Sequence, residues 1–217
     1  MDEFKTEEAA EVSAASPRWT GAPSIGLAHQ VNEQCVELVC ELAVTSSHQE
    51  LPQFILQNRD LWRLLDTDAR RRVAAFPFVI VDIRFKDAEW WREISGTHSM
   101  SPSDSTPLNG IPANLSADLV LETLLFARQA AREDANVAKA MFAMTSPVAS
   151  RIASLTLQQV RTIALGNTQH LRVRWDSAPE FWRDLLIACR TTDEQTMTAL
   201  RRQAKLLFCG ELIQSHK

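Results

Sequence analysis

One stretch of this chain is written twice. Residues 65–74 fall on residues 155–164, and the register continues without a gap to Phe85 and Trp175, so that Val81, Ile83 and Phe85 meet Leu171, Val173 and Trp175. After one inserted residue, Glu89-Trp90-Trp91-Arg92 falls on Glu180-Phe181-Trp182-Arg183. The match is one of side-chain character: a helix, an alternating strand and an aromatic helix opening, in the same order both times. A unit repeated inside one chain predicts two halves packed about a pseudo-twofold axis, in place of a homodimer.

The rest of the chain divides around that repeat. Residues 1–27, rich in Ala, Ser, Glu and Pro without periodicity, read as a mobile N-terminal arm in which Trp19 and residues 23–27 can still tuck against the body. A first repeat covers 28–95. It opens with Val31, Cys35, Val36, Leu38, Val39 and Leu42 at helical spacing. Asp66 or Thr67 caps its arginine-bearing helix, and Phe76-Pro77 ends it, because a residue before proline is pushed toward extended geometry. Val79, Val81, Ile83 and Phe85 then alternate as a strand with one buried face, and Asp87 caps the helix carrying Trp90, Trp91 and Ile94.

Residues 96–115, dominated by Ser, Pro, Gly, Asn and Thr, read as the linker between repeats. The second repeat, 116–217, starts on the apolar stripe of Leu119, Leu121, Leu124 and Leu125. Gly166-Asn167 closes its counterpart helix, as residues that tolerate the left-handed conformation do. Ser177 caps the next helix, with Pro179 in the first turn. A further helix with Met197, Leu200, Leu206, Leu207 and Phe208 is ended by Gly210 and has no equivalent in the first repeat. The fold class is therefore mainly α: two helical repeats related by a pseudo-twofold axis, each with one short strand, the two strands pairing antiparallel.

Composition narrows the function classes. At 217 residues, 45% hydrophobic and 23% charged, the chain is long enough for a sizeable core, and a net charge of −4 argues against a surface that grips nucleic acid everywhere. A local patch remains open: between Arg151 and Trp175 there are four arginines and no acid. That run reads either as a solvated basic face or as a footprint for DNA. Cys35, Cys40, Cys189 and Cys209 form no CxxC pair and are expected to be reduced thiols, which favours the cytoplasm. No apolar run reaches membrane-spanning length and no secretory signal opens the chain. His29, His48, His98, His170 and His216 are scattered without ligand spacing, and no phosphate loop or nucleophile elbow is present. No catalytic residue, metal site, cofactor or small-molecule substrate is expected.

The strands carry the charge argument. Pairing centred on Ile83 and Val173 would set Asp82 opposite Arg174 and Arg84 opposite Arg172, an attractive and a repulsive pair of about 0.2–1 kcal/mol each. Arg84, Arg172 and Arg174 would then share one face of the ribbon, inviting an anionic partner or being satisfied by acids such as Asp176. The other face is core, and since a two-stranded ribbon is only marginally stable alone, Trp91 and Trp182 are the expected cover.

From Leu155 to Asp176 the sequence resembles the flagellar transcriptional activator subunit FlhD. The resemblance lies in Leu155-Thr156-Leu157-Gln158-Gln159-Val160-Arg161-Thr162-Ile163-Ala164, in Asn167 and in Val173-Arg174-Trp175-Asp176, with Leu124-Leu125-Phe126-Ala127-Arg128 and Ala140-Met141-Phe142 upstream. It covers Ala117 to Asp176, and the first repeat shares it through the internal match. It implies a mostly helical intertwined dimer and a role in a heteromeric transcription activator. That family's strand often bears a cysteine bridging two chains; Val81 and Leu171 stand at the matching positions, so here the pairing is expected without a disulfide. The family's C-terminal DNA-contacting segment has no match in 192–217, and its partner's four-cysteine zinc site has none in this chain.

Two functions follow as expectations. The first is a transcriptional regulator acting as an intramolecular pseudo-dimer with a partner subunit on DNA, with Arg84, Arg161, Arg172, Arg174, Arg201, Arg202 and Lys205 as contact residues. The second is a protein-interaction adaptor or antagonist on the same scaffold that does not touch DNA.

Overall fold

The structure, a computed structural model, describes residues 22–46, 51–96 and 113–214. The N-terminal arm as far as residue 21, Trp19 included, and residues 97–112 of the linker lie outside them. Among the described residues the fold is helical apart from one two-stranded sheet.

In chain order, α1 (Ala22–Thr45), α2 (Gln53–Gln57), α3 (Arg59–Arg63) and α4 (Thr67–Ala74) lead to β1 (Val81–Asp82) and α5 (Ala88–Gly96). Then α6 (Ala113–Glu133), α7 (Ala135–Phe142), α8 (Ser146–Ser154) and α9 (Leu157–Gly166) lead through a 3₁₀ turn at Thr168–His170 to β2 (Arg172–Val173) and α10 (Pro179–Thr191). The order of four helices, a strand and a helix thus occurs twice, and α11 (Glu194–Gln214) stands alone at the end. The first helix begins inside the segment expected as an arm, with Pro23 in its first turn, where the missing N–H costs no intrahelical bond.

Local chemistry explains the recurring ends. The amide of Ala69 donates to the Asp66 carboxylate at 2.7 Å, so Asp66 is the cap of α4. At the corresponding place Thr156 and Gln159 close a capping box at the start of α9: the Gln159 amide donates to Thr156 Oγ1 and the Thr156 amide to Gln159 Oε1. Buried positions also recur. From Ala28 to Ala43 on α1 and from Ser116 to Ala131 on α6 they fall at nearly the same intervals, setting Asn32 on Val120 and Leu38 on Phe126.

Several ends differ from expectation. Asn167 is not left-handed (φ −135°); it closes α9 through its side-chain amide, which donates to the Ile163 carbonyl at 2.9 Å. Ala178, not Ser177, holds the N-cap position of α10 and makes no side-chain cap bond. Gly210 does not end α11, which runs on to Gln214 because Glu211 anchors that last turn to the core.

The strands pair antiparallel, with Val81 opposite Val173 and Asp82 opposite Arg172. This corrects the expected register by two residues and changes every partner. The strands are also far shorter than the alternation suggested, since Val79, Ile80, Val81, Ile83 and Phe85 are all buried and no polar face emerges. Two residues past the end of each strand stands a left-handed residue, Arg84 at φ 49° and Trp175 at φ 58°. A left-handed non-glycine residue costs about 1–2 kcal/mol. At both places the carbonyl of that residue gains two donors: the Asp87 amide (2.9 Å) and Trp91 Nε1 (3.1 Å) at Arg84, the Ala178 amide (2.9 Å) and Trp182 Nε1 (3.2 Å) at Trp175.

Strand, left-handed residue and tryptophan all recur at one spacing, that from Trp91 to Trp182. It is one residue longer than the spacing of the caps, Asp66 to Thr156. The inserted residue therefore falls before β2, in the stretch holding the 3₁₀ turn, and not after the strand as the side-chain match placed it.

The helix after each strand crosses to the other stretch of chain. Helix α10 packs on α2, α3 and α4, while α5 packs on α8. Trp182 is fully buried, its ring 5.6 Å from that of Phe54 and 5.5 Å from that of Trp62. Asn58 Nδ2 donates to the Pro179 carbonyl and Arg72 Nε to that of Cys189, at 2.9 and 2.8 Å. In the opposite sense the Val79 amide donates to Met141 and the Thr145 amide to Phe85. Apolar burial across this seam, at about 25 cal/mol per Å², is the main force joining the two stretches.

Candidate interaction surface

The three ribbon arginines do not share a face. Arg174 is buried, 4% exposed, and every end of its guanidinium is occupied: Nε donates to the Val79 carbonyl at 2.9 Å, Nη2 to that of Phe142, and Nη1 to the Glu211 carboxylate. Its guanidinium carbon also lies 5.0 Å from the centre of the Phe208 ring. Arg172 is exposed but grips Asp176 through Nε and Nη2, and that hydrogen-bonded carboxylate raises its pKa further. Arg84 turns away to Asp87 at 3.1 Å and over the Trp90 ring at 5.4 Å. The expected repulsion between Arg84 and Arg172 is therefore absent, and the expected Asp82–Arg174 attraction survives only as a 3.9 Å approach between residues that are not paired across the strands.

The other four cations lie elsewhere. Arg161 is exposed on α9, with Leu157 and Leu165 one turn to either side and also exposed. On α11, Arg202 and Lys205 are exposed and Arg201 half-buried; Arg201 lies close enough to Cys189 for its charge, with that of Arg72, to pull against the rise in that thiol's pKa. Beside them Leu206 is 74% exposed. Helix α11 packs on α10, and α9 packs on α6. The structure thus divides the expected contact residues among the ribbon, α9 and α11.

Sequence reasoning missed Glu211. This residue takes Arg174 on one side and Lys86, at 3.1 Å, on the other, while Phe208 one turn earlier stacks on Phe78 with ring centres 4.2 Å apart. The available signal was an acid and an aromatic three residues apart, following the basic run Arg201, Arg202 and Lys205 on the same helix. His170, read as a surface residue, is half-buried with its ring 5.1 Å from Trp90; burial, and then the Arg84 charge, lower its pKa. Cys35, Cys40 and Cys189 are buried free thiols and Cys209 is an exposed one.

Among the described residues no cluster of three His, Cys, Asp or Glu side chains could hold a metal ion, and no helix is long and apolar enough to cross a membrane. No family model, no curated protein and no solved structure matches the chain.

Proposed function

We propose that the chain is a cytoplasmic, non-catalytic regulator of transcription in which two halves of one polypeptide, related by a pseudo-twofold axis, replace the two subunits of an FlhD-like dimer and work with a partner subunit on DNA. The observation that carries this reading is the strand pairing. Exchanging β1 for β2 at the spacing of Trp91 and Trp182 turns the pair Val81–Val173 into Asp82–Arg172, which is the other pair of the same ribbon. The crossing of α5 and α10 supports it, because reciprocal exchange of helices is how an intertwined dimer buries its strands.

DNA contact then rests on Arg161, Arg201, Arg202 and Lys205, since the ribbon arginines are engaged by acids and carbonyls. An anisotropy titration of labelled duplex DNA, with the chain alone and with a co-encoded partner, tests it. Binding should weaken with salt, and the paired reversal Arg202→Glu, Lys205→Glu should lower both affinity and the salt slope, the slope by about 2. Absence of salt-sensitive binding in both arms would reject it.

Engagement of the ribbon arginines favours a second reading, an adaptor or antagonist that docks to a regulatory protein without touching DNA. A defined regulator bound by the chain at unchanged affinity in competitor DNA, with no shift of labelled duplex, would select that reading.

A further inference from the structure

Helix α9 turns an apolar line outward. Leu157, Arg161 and Leu165 stand four residues apart, one above the other on the helix surface, and the two leucines are 57% and 73% exposed. Among the described residues Arg161 makes no hydrogen bond or ion pair, and the sequence from Arg151 to Trp175 holds no acid to offer it one. The matching line on α4, set by the caps Asp66 and Thr156, is finished within the chain. Thr67 and Ala75 take the places of the leucines, and Arg71, in the place of Arg161, is held by Glu33 at 3.3 Å and Asp68 at 3.6 Å. An exposed leucine–arginine–leucine line is therefore particular to α9, and what completes it is an apolar–acid–apolar line at the same spacing.

The chain itself carries one. Phe4, Glu8 and Val12 stand four residues apart, with Glu7 and Glu11 beside the central acid, and residues 1–21 hold five acids against two bases. On a helix laid along α9, Glu8 meets Arg161 while Phe4 and Val12 meet the leucines. A second copy of α9 fits worse, because a twofold pairing would set Arg161 against Arg161.

The segment also starts from the right side. Gln34 Nε2 donates to the Glu122 carboxylate, and Leu38 and Glu41 share a crevice with Asp118 and Leu119, so α1 and α6 run antiparallel. Along the helices, the start of α1 at Ala22 lies about 18 Å from the Gln34–Glu122 contact, and Arg128 of α6 about 9 Å from it in the same direction. Arg128 Nε donates to the Leu155 carbonyl at the head of α9, so α1 begins toward the Leu157 end of that helix. Residues 13–21 can span about 33 Å, enough to carry Val12 from Ala22 to Leu157.

We propose that the exposed face of α9 is the docking site of the chain's own acidic segment, residues 4–12, laid antiparallel with Val12 on Leu157, Glu8 on Arg161 and Phe4 on Leu165. The tether supplies a high effective concentration, so a contact of only three side chains suffices. Docking covers both exposed leucines and the unpaired arginine in one step. It stands whether or not the chain touches DNA.

NMR of the full chain, labelled at methyl and aromatic groups, tests it. Contacts are expected from the Phe4 ring to the Leu165 methyls and from the Val12 methyls to those of Leu157, unchanged on dilution. Glu8→Arg and Arg161→Glu should each abolish them, and the two substitutions together should restore them, since the charges are then exchanged; Arg161 is exposed, so its replacement leaves the core intact. The proposal is overturned by absence of these contacts in the parent, by their persistence in Glu8→Arg, by no recovery in the double variant, by their loss on dilution, which marks a second copy, or by contacts to Leu157 and Leu165 from residues 97–112 instead.

Discussion

Arg174 and Glu211 form an ion pair at the junction of the two halves of the chain: the guanidinium is buried, and the carboxylate comes from the last turn of α11, which has no counterpart among the described residues. Burying a charge is tolerable only when it is paired and its N–H groups are satisfied, and here two backbone carbonyls complete the set. The pair explains why α11 continues through Gly210. It also binds a basic surface helix to the ribbon on which the pseudo-dimer reading depends.

Glu211→Ala should therefore destabilise the fold by about 3 kcal/mol, the lower end for breaking a buried pair, because the carboxylate is partly exposed and Asp82 remains 3.9 Å from the guanidinium. Urea unfolding of parent and variant measures the difference. Glu211→Gln, which keeps the oxygen acceptor, should recover part of it.

Trp91→Ala and Trp182→Ala should each cost about 3–5 kcal/mol, since both rings are fully buried and each indole N–H holds the carbonyl of a left-handed residue. Comparable losses are what equivalent roles require. A loss below about 1 kcal/mol for either in chemical denaturation would break the correspondence.

Asn32 is buried, donates to the carbonyls of Ala74 (3.1 Å) and Phe78 (2.9 Å) and accepts from the Ile80 amide (2.9 Å). Asn32→Val, which copies Val120 at the matching place on α6, leaves those three groups unpaired. A loss of about 3 kcal/mol is expected in thermal or urea unfolding, although the volume is nearly kept.

Burial raises the thiols of Cys35 to about 12, Cys40 to about 11 and Cys189 to about 12. An unfolded thiol ionises near 8.5, so above that pH the unfolded chain loses protons that the folded chain keeps. Stability from these groups is complete below about pH 8.5 and declines as pH rises toward 11–12, visible as a falling melting temperature. At pH 8 a thiol reagent should modify Cys209 rapidly and the other three only on unfolding.

The helices and caps were legible because their signals are local. Asp66 and Asp87 accept from amides three residues on, and the apolar stripes of α1 and α6 have the helical period. The antiparallel pairing of the two strands followed from the internal match. Its register did not, because the left-handed turns at Arg84 and Trp175 are set by bonds to tryptophans seven residues on, which no periodicity reveals. Arg174 looked like surface charge since alternation assigns a face but not its cover; the cover is α11, distant in sequence.

Interproton contacts across the ribbon, read by NMR on the intact labelled chain, test the account most directly. A fused dimer in this register predicts strong cross-strand contacts between Val81 and Val173 and between Asp82 and Arg172, with the Trp182 ring touching Phe54 and Trp62. Absence of any contact between 79–83 and 171–175, or a parallel pattern there, would contradict it.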